Sequence, residues 1–404
     1  MLRQAVTPED AEAATAAFAA RDGTRPRDAA LSFSPATAAT IEPWVDGAQF
    51  FPPIFADVEA ARQPNMRMCT LERAGDVGRR MASLLERRLA EGVEVRVLVD
   101  ALGSQPYWSA RAMFRRLAAA GAQIVVNDVL PPVRRGLFPD GLRIDRRQSG
   151  IGHADHRKLY VLDGTVAWIG GAGIEDHFDD GRFHDMMVRV TGDVVRQAQA
   201  AFLTSFRANG GPLGDGLARL FPEPADPGAT PVALTQVIPP GHVAAAEAVA
   251  EQLEGATRRL DVINPYVTDR GMVNRILAAA RRGVAVRIVV AEKSNNAQAA
   301  AALRHDYPRL LAAGVEVFEV PGTVVHAKVV VADDVVSFGT VNLDAWSLQR
   351  DFEIMMTAVS APAAALVRER LFEPDIARSR RATPAVTRWA VATGRVCDRL
   401  RPLL

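Results

Sequence analysis

The apolar positions of this chain fall into short runs that alternate with amphipathic stretches of helical period. Val93–Asp100 is nearly continuous in valine and leucine, the pattern of a strand buried on both faces. Before it, residues 67–72 read as a strand. Asp76 caps a helix that runs to about Ala90 and is ended by Gly92. After it, the turn at 101–104 leads to a helix over about 108–120, closed by Gly121, and a strand at Ala122–Val126. Strands separated by helices of this length predict an α/β sheet with crossover helices.

The pattern then recurs. Asp185–Val190 reads as a strand and residues 193–208 as a helix. A stretch dense in glycine and proline, Gly210–Pro231, reads as a linker. A helix over 241–256 precedes a strand at Leu260–Asn264 and a helix ending near Arg282. Gly283–Val290 then echoes Gly92–Val99 almost residue for residue, so the chain holds an internal duplication. The expected divisions are an adapter over 1–43, a first domain over 44–209, a linker over 210–235, a second domain over 236–374 and a tail over 375–404. The adapter is rich in alanine and threonine, with a helix expected near Pro8–Ala20. The connection from Asn127 to Gly152 carries Arg134, Arg135, Arg143, Arg146 and Arg147, and reads either as a solvated basic loop or as the mouth of a site for an anion. The tail interleaves arginines with Trp389, Val396 and Leu400. Two readings stand for it: an amphipathic contact with an anionic membrane, or packing on the protein body.

Each half carries one motif: His156-x-Lys158-x4-Asp163 and His326-x-Lys328-x4-Asp333. Alternation after each histidine predicts a strand, with histidine and lysine on one face. An imidazole can attack phosphorus or protonate a leaving group, and an ammonium beside it neutralises a phosphoryl oxygen.

Composition sharpens this reading. Of 48 Lys+Arg, only Lys158, Lys293 and Lys328 are lysine, and two of these three lie inside the motifs. A compact point charge differs from a planar fork, so these positions call for an ammonium. Chance would place roughly 0.05 His-x-Lys pairs in a chain of this composition. The net charge of +1 argues against a polycation. Cys69 and Cys397 lie far apart and in no metal-ligand spacing, as expected of incidental thiols in a reducing compartment. No apolar run reaches about 18 residues, so no transmembrane helix is expected. The first ten residues lack the apolar core of a secretion signal.

The double motif resembles the phospholipase D superfamily, over roughly residues 50–372. The resemblance implies two tandem phospholipase D-like α/β domains, mixed sheets flanked by helices, related by a pseudo-twofold axis with one active site between them. Several stretches are similar to bacterial cardiolipin synthases: Gly92–Asp100, Asp155–Gly164, Glu292-Lys293-Ser294, Leu310–Val317 and Gly339–Asp344. The implied activity is transfer of a phosphatidyl group from phosphatidylglycerol to an alcohol through a phosphohistidine, with neither metal nor cofactor. Hydrolysis of phospholipid, a nuclease-like phosphodiesterase and a catalytically silent scaffold are the alternatives. Near-neutral charge and the lack of an aromatic–basic pattern argue against nucleic acid. The expected partners are phosphatidylglycerol and a membrane surface, with the protein peripheral at the cytoplasmic face.

The resemblance also assigns roles. His156 and His326 share nucleophile and acid duties, with His156 preferred as nucleophile. Lys158 and Lys328 hold phosphoryl oxygens. An acidic residue about 25–30 positions downstream orients each imidazole, which points to Asp185 and Glu353. Asp163 and Asp333 join the site in a structural role, fixing backbone or crossing the pseudo-dyad. Asn342 and Lys293 are expected to bind phosphate, with Gly173 where the first half would carry an asparagine. A competing metal site would draw on His153, His156, His177 and His184 with Asp155.

Overall fold

A computed structural model describes residues 36–62, 64–68, 75–101, 103–104, 110–127, 154–214, 217–239, 241–383 and 395–401. The expected Pro8–Ala20 helix, the basic connection after Asn127, His153 and Trp389 lie outside the described residues. The chain opens with β1 (Ala36–Ala38), β2 (Thr40–Val45) and α1 (Gly47–Ala60). It continues through β3 (Pro64–Met68), α2 (Asp76–Ala90), β4 (Arg96–Asp100), α3 (Arg111–Ala119) and β5 (Gln123–Asn127). The first motif leads into β6 (Leu159–Leu162), β7 (Val166–Gly170), α4 (Asp176–Asp179), β8 (Phe183–His184), β9 (Met186–Thr191) and α5 (Val194–Ala208).

The second half runs through β10 (Thr230–Val237), α6 (Ala244–Gly255), β11 (Arg259–Ile263), α7 (Arg270–Arg281), β12 (Ala285–Ala291), α8 (Ala297–Ala312) and β13 (Glu316–Val320). Then come β14 (Val324–Val325), β15 (Val329–Ala332), β16 (Val335–Gly339), α9 (Ala345–Gln349) and β17 (Glu353–Val359). Last are α10 (Ala361–Val367), a π-turn over Arg368–Phe372, α11 (Glu373–Arg378) and β18 (Arg380–Arg381).

Two mixed sheets result, and their strand orders correspond over seven strands, the second adding β1 and β18 at its edges. The first reads β2-β9-β7-β6-β3-β4-β5 and the second β1-β10-β17-β16-β15-β11-β12-β13-β18. In each, three parallel strands adjoin an antiparallel set. This is the expected class, mixed sheets flanked by helices. Helices α1, α2 and α3 cover one face of the first sheet, with Phe50, Met81, Leu85 and Phe114 in that core. Helices α6, α7 and α8 cover the matching face of the second. The remaining faces share one core, built from Leu159 and Ile169 on one sheet, Val329 and Phe338 on the other, and α5. A sheet buried on both faces needs continuous apolar strands, and all five residues of β4 are buried.

Three expected boundaries shift. Ala36–Val45 straddles the end of the expected adapter, yet it stitches the sheets together: β1 joins β10 of the second sheet and β2 joins β9 of the first. Strand β10 begins inside the expected linker. The expected tail starts within α11, and its described parts belong to the second half. Strand β18 pairs with β13, and Arg401 is buried, with Nη1 on Thr268 O and Nη2 on Ala302 O, both 2.7 Å. Packing on the body is therefore the reading that holds for β18 and Arg401.

The strands after the motifs begin at Leu159 and Val329, so each His-Lys pair sits in the extended segment before its strand. The motif aspartates lie at the far end, in the β6–β7 and β15–β16 turns, with left-handed φ of 54° and 51°. Asp163 accepts from Arg62 N at 2.7 Å. Asp333 accepts from the backbone N of Thr257, Arg258 and Arg259 at 2.8, 2.9 and 2.9 Å, and from Thr257 Oγ1 at 2.8 Å. Both aspartates fix backbone at the entrance to β3 or β11 through these bonds.

Burial works against ionisation of Asp333, but those donors hold its carboxyl well below the usual range. A depressed pKa contributes stability that is present above pH 3.8 and is lost as pH falls through the lowered value. Asp333→Ala is expected to lower unfolding free energy by about 1–2 kcal/mol at neutral pH, because water reaches part of this turn. Urea unfolding at pH 7 and pH 3 checks this, with the gap between variant and wild type expected to narrow at the lower pH.

Candidate functional site

Each motif is placed by the other half of the chain. Asp155 bridges Phe352 in parallel, His156 N donates to Phe352 O at 3.0 Å, and Phe352 N donates to Ala154 O at 2.8 Å. In the second motif, β14 runs parallel to β8, and His326 N donates to His184 O at 2.8 Å. In both ladders the residue whose carbonyl accepts the histidine N–H is followed directly by a carboxylate, Glu353 or Asp185.

That pairing exchanges the expected partners. His156 Nδ1 is hydrogen-bonded to Glu353 Oε1 and Oε2 at 3.0 and 3.1 Å. His326 Nδ1 is hydrogen-bonded to Asp185 Oδ2 at 2.7 Å. The downstream spacing had assigned each carboxylate to the histidine of its own half. The structure corrects this: each imidazole is oriented by the opposite half.

Both carboxylates are fully buried and individually supported. Ser347 Oγ donates to Glu353 Oε1 and accepts from Asn342 N at 2.7 Å. Ser347 N is in turn held by Asp344 Oδ1 at 2.8 Å. Asp185 presses against Gly171, where an added Cβ would lie 2.5 Å from both carboxylate oxygens. The second half has Thr340 at the equivalent place, and its hydroxyl bonds the backbone of Ile354. Gly171 is therefore required by the close approach of a carboxylate. Ser347 and Gly171 were not assigned to the site from sequence; the only sequence signal was their closeness to the glycine-ended strands.

The entry to the first motif is stiffened further. Asp100, at the end of β4, accepts from Asp155 N at 3.0 Å. Asp155 takes Arg157 Nε and Nη2, each at 2.8 Å, and Arg157 Nη1 reaches Gln236 Oε1 at 2.8 Å. This buried network gives His156 one backbone position.

The two lysines are placed differently. Lys158 Nζ donates to His156 O at 2.8 Å. Lys328 Nζ donates to His326 O and lies against the ring, 2.9 Å from Nδ1 and 3.1 Å from Nε2. The rings of Phe178 and Phe183 wall the other surroundings of His326 at 5.5 and 5.4 Å between centroids. No described side chain hydrogen-bonds His156 Nε2.

Burial dominates the electrostatics. It pushes the His156 imidazole well below its usual pKa, and the charges of Lys158 and Lys328 add to that. His326 is lowered to about 3, by burial and then by Lys328. Burial lowers Lys328 to about 7 against the pull of Asp185. Glu353 is raised to about 7 by burial, although Lys158 and Ser347 favour its charge. For Asp185, the His326 hydrogen bond and Lys328 outweigh burial and keep it below the usual range. At neutral pH the site therefore presents unprotonated imidazoles, with Lys328 poised between its charged and neutral forms.

Asn342 is buried close by, and its Oδ1 has no hydrogen-bond partner. Lys293 is exposed on the loop after β12 and makes no hydrogen bond or ion pair with the cluster. The described histidines of the competing metal reading have separate partners. His177 Nδ1 lies 3.2 Å from Glu175, and His184 is bonded to Asp46 and Asp375. Among the described residues, no three or more His, Cys, Asp or Glu side chains are grouped to hold a metal ion.

A family profile described as "Cardiolipin synthase, PLD-like domain" matches residues 249–375. A cardiolipin synthase of Listeria monocytogenes serotype 4b (strain CLIP80459) is 27% identical over 360 residues, 85% of this chain and 70% of that protein. Cardiolipin synthase A of Pseudomonas putida (strain W619) is 30% identical over 353 residues, 84% of this chain and 69% of that protein. Among solved structures, the phosphatidylserine synthase of Haemophilus influenzae Rd KW20 aligns with a TM-score of 0.63 at 12% identity. That alignment covers 92% of this chain and 97% of that one, a likeness of fold. Similarity to cardiolipin synthases across most of both lengths agrees with two His-x-Lys motifs closed on one site: the chain belongs to the cardiolipin synthase family, enzymes of the phospholipase D superfamily.

Proposed function

We propose that this enzyme moves a phosphatidyl group from phosphatidylglycerol to an alcohol acceptor by double displacement at phosphorus. The exchanged imidazole–carboxylate pairs carry the reading, because they set two oriented bases on one site beside two ammonium groups. His156 Nε2 attacks phosphorus, the bond to glycerol oxygen breaks, and His326 gives that oxygen a proton. In the second step His326 takes the proton of the acceptor hydroxyl. The acceptor oxygen attacks phosphorus and the phosphorus–nitrogen bond breaks. His156 is favoured as nucleophile because no described side chain hydrogen-bonds its Nε2, whereas Lys328 lies against both ring nitrogens of His326.

Lys158, Lys328 and Asn342 bind the non-bridging oxygens; Lys293 serves as a peripheral cation for the incoming anion. Burial and then the lysine charges keep the imidazoles neutral; a bound phosphodiester offsets those charges, and His326 gains its proton as substrate binds. Water as acceptor would give hydrolysis, and a nucleic-acid diester is the remaining alternative.

Quench-flow with a labelled diester bearing a good leaving group tests the assignment. His326→Ala is expected to form an acid-labile phosphohistidine that fails to turn over, and His156→Ala to form none. Label found on His326 would reverse the roles. Lys158→Arg and Lys328→Arg are each expected to lower kcat by about 10²–10³-fold, as for other lost oxyanion donors. Labelled phosphatidylglycerol and single-stranded DNA, each assayed in chelator, separate lipid transfer from nuclease activity.

We further propose that the protein is peripheral at the cytoplasmic face of the membrane. Among the described residues no helix is long and apolar enough to cross a bilayer. Near the C-terminus, Val396 and Leu400 are exposed four positions apart, flanked by exposed Arg395 and Arg399. Arg401 ties this segment down through Asp306 and Asp398 at 2.6 and 2.7 Å. Each arginine near an anionic surface contributes on the order of 1 kcal/mol. Sedimentation with phosphatidylglycerol vesicles is expected to show binding that weakens with salt, and Arg395→Glu with Arg399→Glu to reduce it. Absence of binding at low salt would remove the membrane role.

A further inference from the structure

His184 takes no part in the chemistry described above, yet it is buried and carries a carboxylate on each ring nitrogen. Nδ1 lies 2.7 Å from Asp46 Oδ1, and Nε2 lies 2.9 Å from Asp375 Oδ2. The three residues come from distant parts of the chain: the β2–α1 junction, β8 and α11. Asp375 is itself buried and takes Arg378 Nε and Nη2 on its other oxygen at 3.0 and 2.7 Å.

This cluster backs the His326–Asp185 pair directly. His184 O accepts the backbone N–H of His326 at 2.8 Å, and the next residue is Asp185, whose side chain orients the His326 ring. Asp46 closes the circuit, since its backbone N donates to Asp185 O at 2.9 Å. Asp46 has φ 64° and ψ 149°, a region that side chains other than glycine rarely enter. Such a conformation persists only where its surroundings over-determine it, and here the Asp185 carbonyl and the His184 ring both fix it.

We propose that His184 is a positioning residue that works as an imidazolium, clamping Asp46 and Asp375 so that Asp185 and the backbone of His326 keep one geometry. Two carboxylates on one buried ring require both nitrogens to donate, which only the protonated form can do. The two hydrogen bonds and two charges outweigh burial and raise its pKa to about 9. A raised pKa contributes stability that is full below the ordinary 6.5 and is lost as pH climbs through about 9. The charged groups facing the ring are Asp46 and Asp375, with Arg378 behind Asp375 and Asp185 next in the chain. Loss of the His184 proton would therefore disorder the His326 pair and limit activity on the alkaline side.

The kinetic part rests on the catalytic reading above; the spectroscopic part does not. In the full chain labelled with 15N-histidine, His184 is expected to show two protonated nitrogens at pH 7 and to titrate near 9. His184→Gln is expected to shift the ring signals of His326 and lower kcat about 10²-fold, as small misplacements of reacting groups do, with KM within about twofold. It should also erase the alkaline limb of the pH profile. His184→Arg, which keeps a charge between the carboxylates, should recover much of kcat. A neutral His184 ring at pH 7 would overturn the proposal, and so would a folded His184→Gln with wild-type kcat. Failure of the transferase reading would appear separately, as wild type inert toward phosphatidylglycerol while the His184 signature persists.

Discussion

The backbone ladder between the two halves is the interaction on which the site depends. Residues 154–156 lie against Phe352, and residues 324–326 lie against β8. Because a carboxylate follows each ladder residue, the same backbone bonds that dock the halves deliver Glu353 to His156 and Asp185 to His326. Neither half alone holds an oriented imidazole. Docking, burial and catalytic geometry are one event, and the shared core supplies much of its driving force.

Burial gives the site its electrical character. In a low-dielectric cluster each unpaired charge is costly, so the imidazoles lose their protons, Glu353 resists ionisation and Lys328 drops toward neutrality. On the proposed mechanism, an anionic diester entering between the lysines reverses much of that penalty. On that proposal the free enzyme is poised for an anion, with donors already fixed by burial and hydrogen bonds. The differences between the halves follow this logic. Asp185 fits because Gly171 has no side chain, and Glu353 is held by Ser347, which the first half lacks at that position.

Much of this was legible in the sequence. The motifs, the scarcity of lysine and the echo of Gly92–Val99 in Gly283–Val290 pointed to a duplicated α/β fold with one shared site. The exchange of carboxylates was not legible. Asp185 and Glu353 lie at similar distances downstream of the two histidines, and spacing along one chain carries no information about which half it faces. The roles of Asp163 and Asp333 as turn anchors became clear only from their left-handed backbone and their donors. Residues 36–43 read as adapter because short edge strands have weak periodicity, and their pairing is set by tertiary contact. The arginines of the tail read equally as a membrane contact or as packing on the body, and only the structure shows Arg401 burying its guanidinium on two carbonyls and two carboxylates.

The central claim is that each imidazole answers to the opposite half. Ring 15N spectra of His156 and His326, recorded in Asp185→Asn and in Glu353→Gln, test it most directly. The account predicts that Asp185→Asn moves the Nδ1 signal of His326 and leaves that of His156 nearly in place, and that Glu353→Gln does the reverse. If Asp185→Asn instead moved His156, and Glu353→Gln moved His326, each half would orient its own histidine and the account would be contradicted.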